Sequence, residues 1–282
     1  MKKFKHKKLA IVGPTASGKS ELALRLAKKL NGSIICADSR TIYKGMDIGT
    51  AKPTKLEQLA IDHYCIDLVN PNEKFSVIMF KEKAIEAIDL SLANSKLPIL
   101  VGGSGLYLDS VIYDYKFPQI INDSFESMGL KELQDLCELK GYSVPEQVFK
   151  NKRHLVSFMR RNGETGKKEF NSDFLVVGIK PSKEVINKRI ELRVSNMIKN
   201  GFINEVKDLV GKFPYNSTGF NAPGYKPFID YLDNKITIDE AIENFIRNDK
   251  SLAKKQMTWF KRNKNIVWFD NINDAESYII EQ

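Results

Sequence analysis

Apolar residues come in short runs separated by longer amphipathic stretches. KLAIV at residues 8–12 stops at a glycine-rich loop. Leu22, Leu26 and Leu30 then recur every fourth residue, the period of a helix with one buried face. SIICAD at 33–38 reads as a second buried strand, and IDHYCIDLV at 61–69 contains a possible third. Residues 75–92 read as helix, and LPILVGG at 97–103 is an apolar strand running into glycines. Short strands alternating with helices predict βαβ units, hence the α/β class: a parallel sheet with helices on both faces.

From about 113 to 172 this rhythm breaks. The stretch holds aromatics, the helix-like SFESMGLKELQDLCELKG and a basic run ending in NGETGKK. It predicts a small helical insert domain, 113–172, between two parts of one α/β core, 1–112 and 173–282. FLVVGIKP at 174–181 resumes the strand pattern, and a helix over 183–200 ends at Gly201. Thr237 and Glu240 stand at capping-box spacing before a long helix, roughly 238–262. NIVWFD at 265–270 supplies a last strand. There is no internal repeat and no low-complexity segment.

Composition narrows the class. With 282 residues and 42% hydrophobic content the chain can bury a large core, which excludes global disorder. No apolar run approaches the ~20 residues that cross a bilayer. LAIV after the basic MKKFKHKK is too short for a signal-peptide core. Cys36, Cys65 and Cys137 lie too far apart in sequence to suggest a disulfide framework or a zinc cluster. A cytoplasmic protein of a reducing compartment, monomeric and independent of membranes, is expected. The net charge of +9 is concentrated. Residues 150–168 carry Lys150, Lys152, Arg153, Arg160, Arg161, Lys167 and Lys168 against Glu164, and 248–265 are similarly basic against Asp249. Such runs suit a nucleic-acid partner, whereas the Lys-rich first eight residues read as a solvated tail.

The sharpest local signal is Gly13-Pro14-Thr15-Ala16-Ser17-Gly18-Lys19-Ser20, a complete G-x-x-x-x-G-K-S between a strand and a helix. Glycines let successive N–H groups turn toward one anion, and the helix behind adds its positive end. Lys19 supplies a mobile charge, and the Ser20 hydroxyl is placed to ligate Mg²⁺. The motif specifies polyphosphate or diphosphate binding on residues 13 and 15–20, not nucleotide hydrolysis. Asp38 follows the second strand and should face the same crevice. There it could bind Mg²⁺, accept a proton or cap the next turn. Val101-Gly102-Gly103-Ser104-Gly105 follows another strand and either borders the crevice or serves as a packing hinge. Arg247, Lys250, Lys254 and Lys261 fall near one face of the C-terminal helix, with Lys255 and Gln256 beside them. That face is either an RNA-backbone surface or an ordinary solvated one, while Leu252, Trp259 and Phe260 should pack inward. His6, His63 and His154 form no constellation.

Taken together, GPTASGKS, ADSRTIYKGMDIGTAKP (37–53), VGGSGLYL (101–108), RIELRVSNMIKNGFINEV (189–206), GYK (224–226) and AKKQMTWFKR (253–262) resemble the tRNA dimethylallyltransferases, also called tRNA isopentenyltransferases. The resemblance is collinear over nearly the whole chain and implies a P-loop NTPase-like fold. It implies transfer of a dimethylallyl group from its diphosphate to the exocyclic amine of the adenine 3′ of the anticodon, in tRNAs reading codons that begin with U. By resemblance the P-loop holds the diphosphate of the prenyl donor rather than ATP, and Asp38 is the general base. Arg193, with Lys19, acts near the reacting centre. Asp38, Ser39, Arg40 and Thr41 approach the flipped adenine, Ser104 contacts the tRNA, and Lys254, Lys255 and Gln256 join the tRNA surface. Departures from the family pattern are Thr41 where Gln is common, Tyr64 in place of the second His of a His-His pair, and a short insert with Ser157-Phe158-Met159-Arg160. No C-terminal zinc finger of the eukaryotic relatives is found. The alternatives are an adenylate isopentenyltransferase acting on free AMP, ADP or ATP, a P-loop small-molecule kinase, and an inactive RNA-binding relative.

Overall fold

The structure, a computed structural model, describes residues 6–115, 117, 125–160 and 169–282. Arg161, NGETGKK and the first five residues of the basic tail lie outside them. The chain forms two compact units, 1–112 with 171–282, and 113–170. Among the described residues no helix is long and apolar enough to cross a membrane.

The larger unit is built on six parallel strands: β1 (Lys8–Val12), β2 (Gly32–Cys36), β3 (His63–Tyr64), β4 (Leu97–Gly102), β5 (Phe174–Ile179) and β6 (Val267–Phe269). Their order is β3-β2-β4-β1-β5-β6. β1 is central, with Val12 beside Gly102 of β4 and Gly178 of β5. The loops leaving β1, β2 and β4 therefore emerge together at one carboxyl edge. Gly102 needs to be glycine, because a Cβ there would lie 1.9 Å from the Ala37 carbonyl oxygen. β2 stops at Cys36, two residues short of the predicted SIICAD. The run 61–69 yields only two strand residues, because Cys65 and Asp67 take φ values of 61° and 53° that break the extended backbone.

Of the hydrophobic packing in this unit, two clusters bear on the site. One packs Leu22, Leu26, Ile279 and their neighbours against the strands. The other is helical, formed by Lys183–Lys199, Phe202–Val210, Tyr225–Leu232 and Ile238–Phe260. Phe202 is its hub, with ring centroids 5.1 Å from Tyr225, 5.2 Å from Phe228 and 5.5 Å from Phe245. The Thr237–Glu240 capping box heads the last helix: Thr237 N–H donates to Glu240 at 2.7 Å, and Glu240 N–H donates to Thr237 Oγ1 at 3.2 Å. This helix ends at Phe260, two residues before the expected 262. Phe260 is buried, whereas Leu252 and Trp259 are only partly so; the Trp259 indole donates to Asp109 at 2.7 Å.

Among its described residues, the smaller unit forms the helices Leu130–Leu139, Glu146–Phe149 and Lys152–Met159. They close over Leu133, Cys137, Leu155, Val156 and Met159.

Candidate active site

The P-loop needs unusual backbone, and its sequence allows it. Gly18 has φ 99° and Ala16 has φ 60°. A Cβ on Gly13 would meet the Ile179 carbonyl oxygen at 2.5 Å. No side chain caps the Lys19–Lys29 helix. Among the described residues, the amides of Ala16, Gly18, Lys19 and Ser20 donate to no protein acceptor, which leaves a row of N–H groups at the positive end of that helix. Lys19 folds over the loop, donating to the Pro14 carbonyl at 3.0 Å. Burial lowers its pKa to about 8; the Asp38 charge opposes this, the Arg193 charge adds to it, and Asp249 opposes it again.

A second wall comes from the helical cluster. Arg193 Nη1 donates to Thr15 Oγ1, and Arg189, one turn earlier on the same helix, donates to the Ser17 carbonyl at 3.0 Å. Asp249, almost fully buried, faces Arg193 with Oδ2 3.9 Å from Nη1, too far for a hydrogen bond. Gln256 accepts the Thr15 N–H at 2.8 Å and packs on Gly103, where a Cβ would lie 2.3 Å from its Nε2. The Thr15 amide is turned to Gln256 rather than into the anion cradle, and Gln256, expected on the tRNA surface, has its oxygen engaged in bracing the P-loop.

The third wall is the turn after β2. Asp38 Oδ1 accepts the Arg40 N–H at 2.9 Å, an Asx-turn. The Ser39 N–H donates to Ser104 Oγ at 2.9 Å, and Ser104 Oγ donates to Ser39 Oγ at 3.2 Å. Asp38 thus forms its turn and also lines the crevice. The glycines before Ser104 serve close packing while Ser104 borders the site. Residues 15–20, 38–41, Ser104, Arg193, Lys255 and Gln256 all line one cavity of about 710 Å³. Gly13 lies beneath the loop and Lys254 outside the cavity.

The floor is the 47–53 loop, within DIGTAKP. Buried Lys52 donates to Asp47 and Asp67 at 2.6 Å each and to the Tyr43 carbonyl at 2.8 Å. Glu205 accepts the N–H groups of Asp47, Ile48 and Gly49 at 2.9, 2.6 and 3.0 Å, and the Tyr225 hydroxyl at 2.6 Å. Burial and the Glu205 charge push the Tyr225 phenol well above its ordinary pKa. Gly49 admits this approach, since a Cβ would lie 2.2 Å from the Phe202 ring. Sequence reasoning did not single out Arg189, Lys52, Glu205 or Asp249. The four-residue spacing of Arg189 and Arg193 was the one available signal, marking a shared helix face. The predicted basic face also shrinks: Lys250 pairs with Glu191 at 2.6 Å and Arg247 with Asn244, leaving Lys254, Lys255 and Lys261.

The sequence model of a family described as IPP transferase matches residues 41–263. The chain belongs to the IPP transferase family. It is accordingly a prenyl-transferring enzyme. A tRNA dimethylallyltransferase of Alkaliphilus oremlandii is 38% identical over 296 residues, covering 97% of this chain and 94% of its own. That of Staphylococcus carnosus is 34% identical over 297 residues, with the same coverage. Among solved structures, the full-length tRNA isopentenylpyrophosphate transferase from Bacillus halodurans matches with a TM-score of 0.77 and 34% identity, covering 98% of this chain and 96% of that one. A eukaryotic dimethylallyltransferase acting on tRNA shares the fold: TM-score 0.79, 22% identity, 96% of this chain and 75% of that one.

Proposed function

We propose that this IPP transferase acts in the cytoplasm and moves a dimethylallyl group from dimethylallyl diphosphate to the exocyclic amine of the adenine 3′-adjacent to the anticodon, in tRNAs that read codons beginning with U. The observation that carries the reading is the shared cavity, in which a diphosphate cradle with two cations faces the Asp38 carboxylate. In an allyl transfer the amine nitrogen bonds to the allylic carbon as the bond to diphosphate breaks. The amides of Ala16, Gly18, Lys19 and Ser20, the Lys19 ammonium and the Arg193 guanidinium lie where the leaving charge grows. Asp38, fixed by its own turn, takes the proton from the amine. The base must leave its stack to enter, and Ser39, Arg40, Thr41 and Ser104 line its approach.

Mg²⁺ fits this donor set as an ion carried by the diphosphate. Ser20, exposed in the first helical turn, offers one hydroxyl, and among the described residues no cluster of three His, Cys, Asp or Glu could hold a metal by itself. When bound, Mg²⁺ supplies further neutralisation of the leaving charge.

The test incubates the protein with labelled dimethylallyl diphosphate, unmodified tRNA, AMP and ATP in separate reactions. Label in the anticodon-adjacent adenine of tRNA is expected. Label in AMP would make the protein an adenylate isopentenyltransferase, phosphate transfer from ATP would make it a kinase, and no label anywhere would leave an RNA-binding relative. For docking, the exposed Lys254 and Lys255 of the long helix and Lys261 at its end are the cations considered. Replacing all three by Ala should flatten the log–log salt slope of tRNA binding by roughly 0.7–0.9 per lost phosphate contact. A slope equal to wild type would place those lysines on an unused face.

A further inference from the structure

Three buried polar atoms have no hydrogen-bond partner among the described residues: Ser17 Oγ, Arg193 Nε and Asp249 Oδ2. All three residues line the donor cavity. Asp249 stands out because a carboxylate that is 2% exposed and makes no hydrogen bond through Oδ2 is costly to bury. Burial accordingly raises its pKa above the ordinary carboxylate value; the Arg193 charge opposes that shift, Asp38 adds to it, and Lys19 opposes it again. Nor does it clamp Arg193, whose bonded partner is Thr15 Oγ1; Asp249 stays at 3.9 Å.

A carboxylate so placed repels the anion that the cradle is built to hold. We infer that Asp249 is a resident counter-anion, a specificity-determining residue that competes with diphosphate for Arg193 and Lys19 and so weakens retention of the leaving group. The inference rests on the donor-site reading above. Without the carboxylate, Arg193 and Lys19 would face a bound diphosphate with only the Asp38 charge against them. With it, a diphosphate must outbid an internal anion that cannot leave. The beneficiary is turnover: a pyrophosphate product held by P-loop amides, Lys19 and Arg193 together would otherwise dissociate slowly.

The experiment titrates inorganic pyrophosphate, with and without Mg²⁺, into the whole wild-type protein and into Asp249→Asn, which keeps shape and removes charge. Asp249→Ser repeats the measurement should the Asn variant fold poorly. Binding on the order of tenfold tighter is expected in both variants. In an Arg193→Gln background, Asp249→Asn should tighten binding much less, because one of the two contested cations is gone. Steady-state inhibition by pyrophosphate should strengthen in parallel. A residue that only supports the fold gives no such gain. Unchanged or weaker pyrophosphate binding in the Asn and Ser variants overturns the inference, and weakening confined to the Mg²⁺ titration would instead make Asp249 a metal ligand. Wild-type protein that binds no pyrophosphate at all would overturn the donor-site reading itself, a separate and recognisable outcome.

Discussion

Asp38→Asn slows single-turnover prenylation of tRNA by about 10²–10⁴, the usual cost of losing a general base, while donor and tRNA affinities change far less. The structure makes this substitution informative, because Asp38 Oδ1 also accepts the Arg40 N–H at 2.9 Å. Asn retains a side-chain oxygen for that bond and caps turns about as well as Asp. The turn, and the Ser39–Ser104 contacts that depend on it, therefore survive while charge and basicity vanish. Had Asp38 only shaped the turn, the variant would react at nearly the wild-type rate. A single-turnover rate within threefold of wild type, at saturating tRNA and donor, removes Asp38 from the chemistry.

Lys19→Ala costs about 3 kcal/mol of transition-state stabilisation, roughly a hundredfold in kcat/KM. The ammonium sits over the P-loop in a site where burial lowers its pKa to about 8, and charges act more strongly there than in water. The wild-type protein should show a matching pH dependence in titrations without Mg²⁺. Diphosphate affinity falls as pH rises through about 8, because the empty site then loses the Lys19 proton. The fold responds with the opposite sign. Between about 8 and the ordinary lysine value of 10.5 the unfolded chain holds this proton and the folded chain does not, so the Lys19 contribution to stability rises with pH. Competition binding should rank dimethylallyl diphosphate well above ATP. Tight Mg²⁺-dependent ATP binding with phosphate release would refute the donor assignment.

What could be read from the chain alone was what is local in it. The P-loop is eight consecutive residues between a strand and a helix, so spacing and backbone chemistry reveal it. Asp38 is marked by its place just past a strand in a parallel sheet. The capping box at Thr237 needs only residues three apart. The supports of the site obey no such rule. Gln256 reaches Thr15 across 241 positions and Glu205 reaches Gly49 across 156, and neither partner leaves a periodic trace. The helical cluster was only partly legible. Phe202–Val210 begins directly at Gly201 and Tyr225–Leu232 carries Pro227, so their apolar faces emerge from segments that look like breaks. Asp249 is legible as one acid in a basic run; only the fold shows it buried between two cations.

Residues of both clusters line the cavity: Ala23, Ile34, Cys36 and Val101 from the sheet cluster, Ala222 from the helical one. The sheet cluster carries the P-loop, Asp38 and Ser104, while the helical cluster carries Arg193, Asp249 and, through Glu205, the loop beneath. The site therefore exists only when both blocks are folded. A bound diphosphate then acts as a bolt between them: its binding energy adds to the cost of opening either block. Slow amide exchange should consequently spread on ligation into the aromatic hub around Phe202. A core substitution there, such as at Phe228, would register first as lost donor affinity.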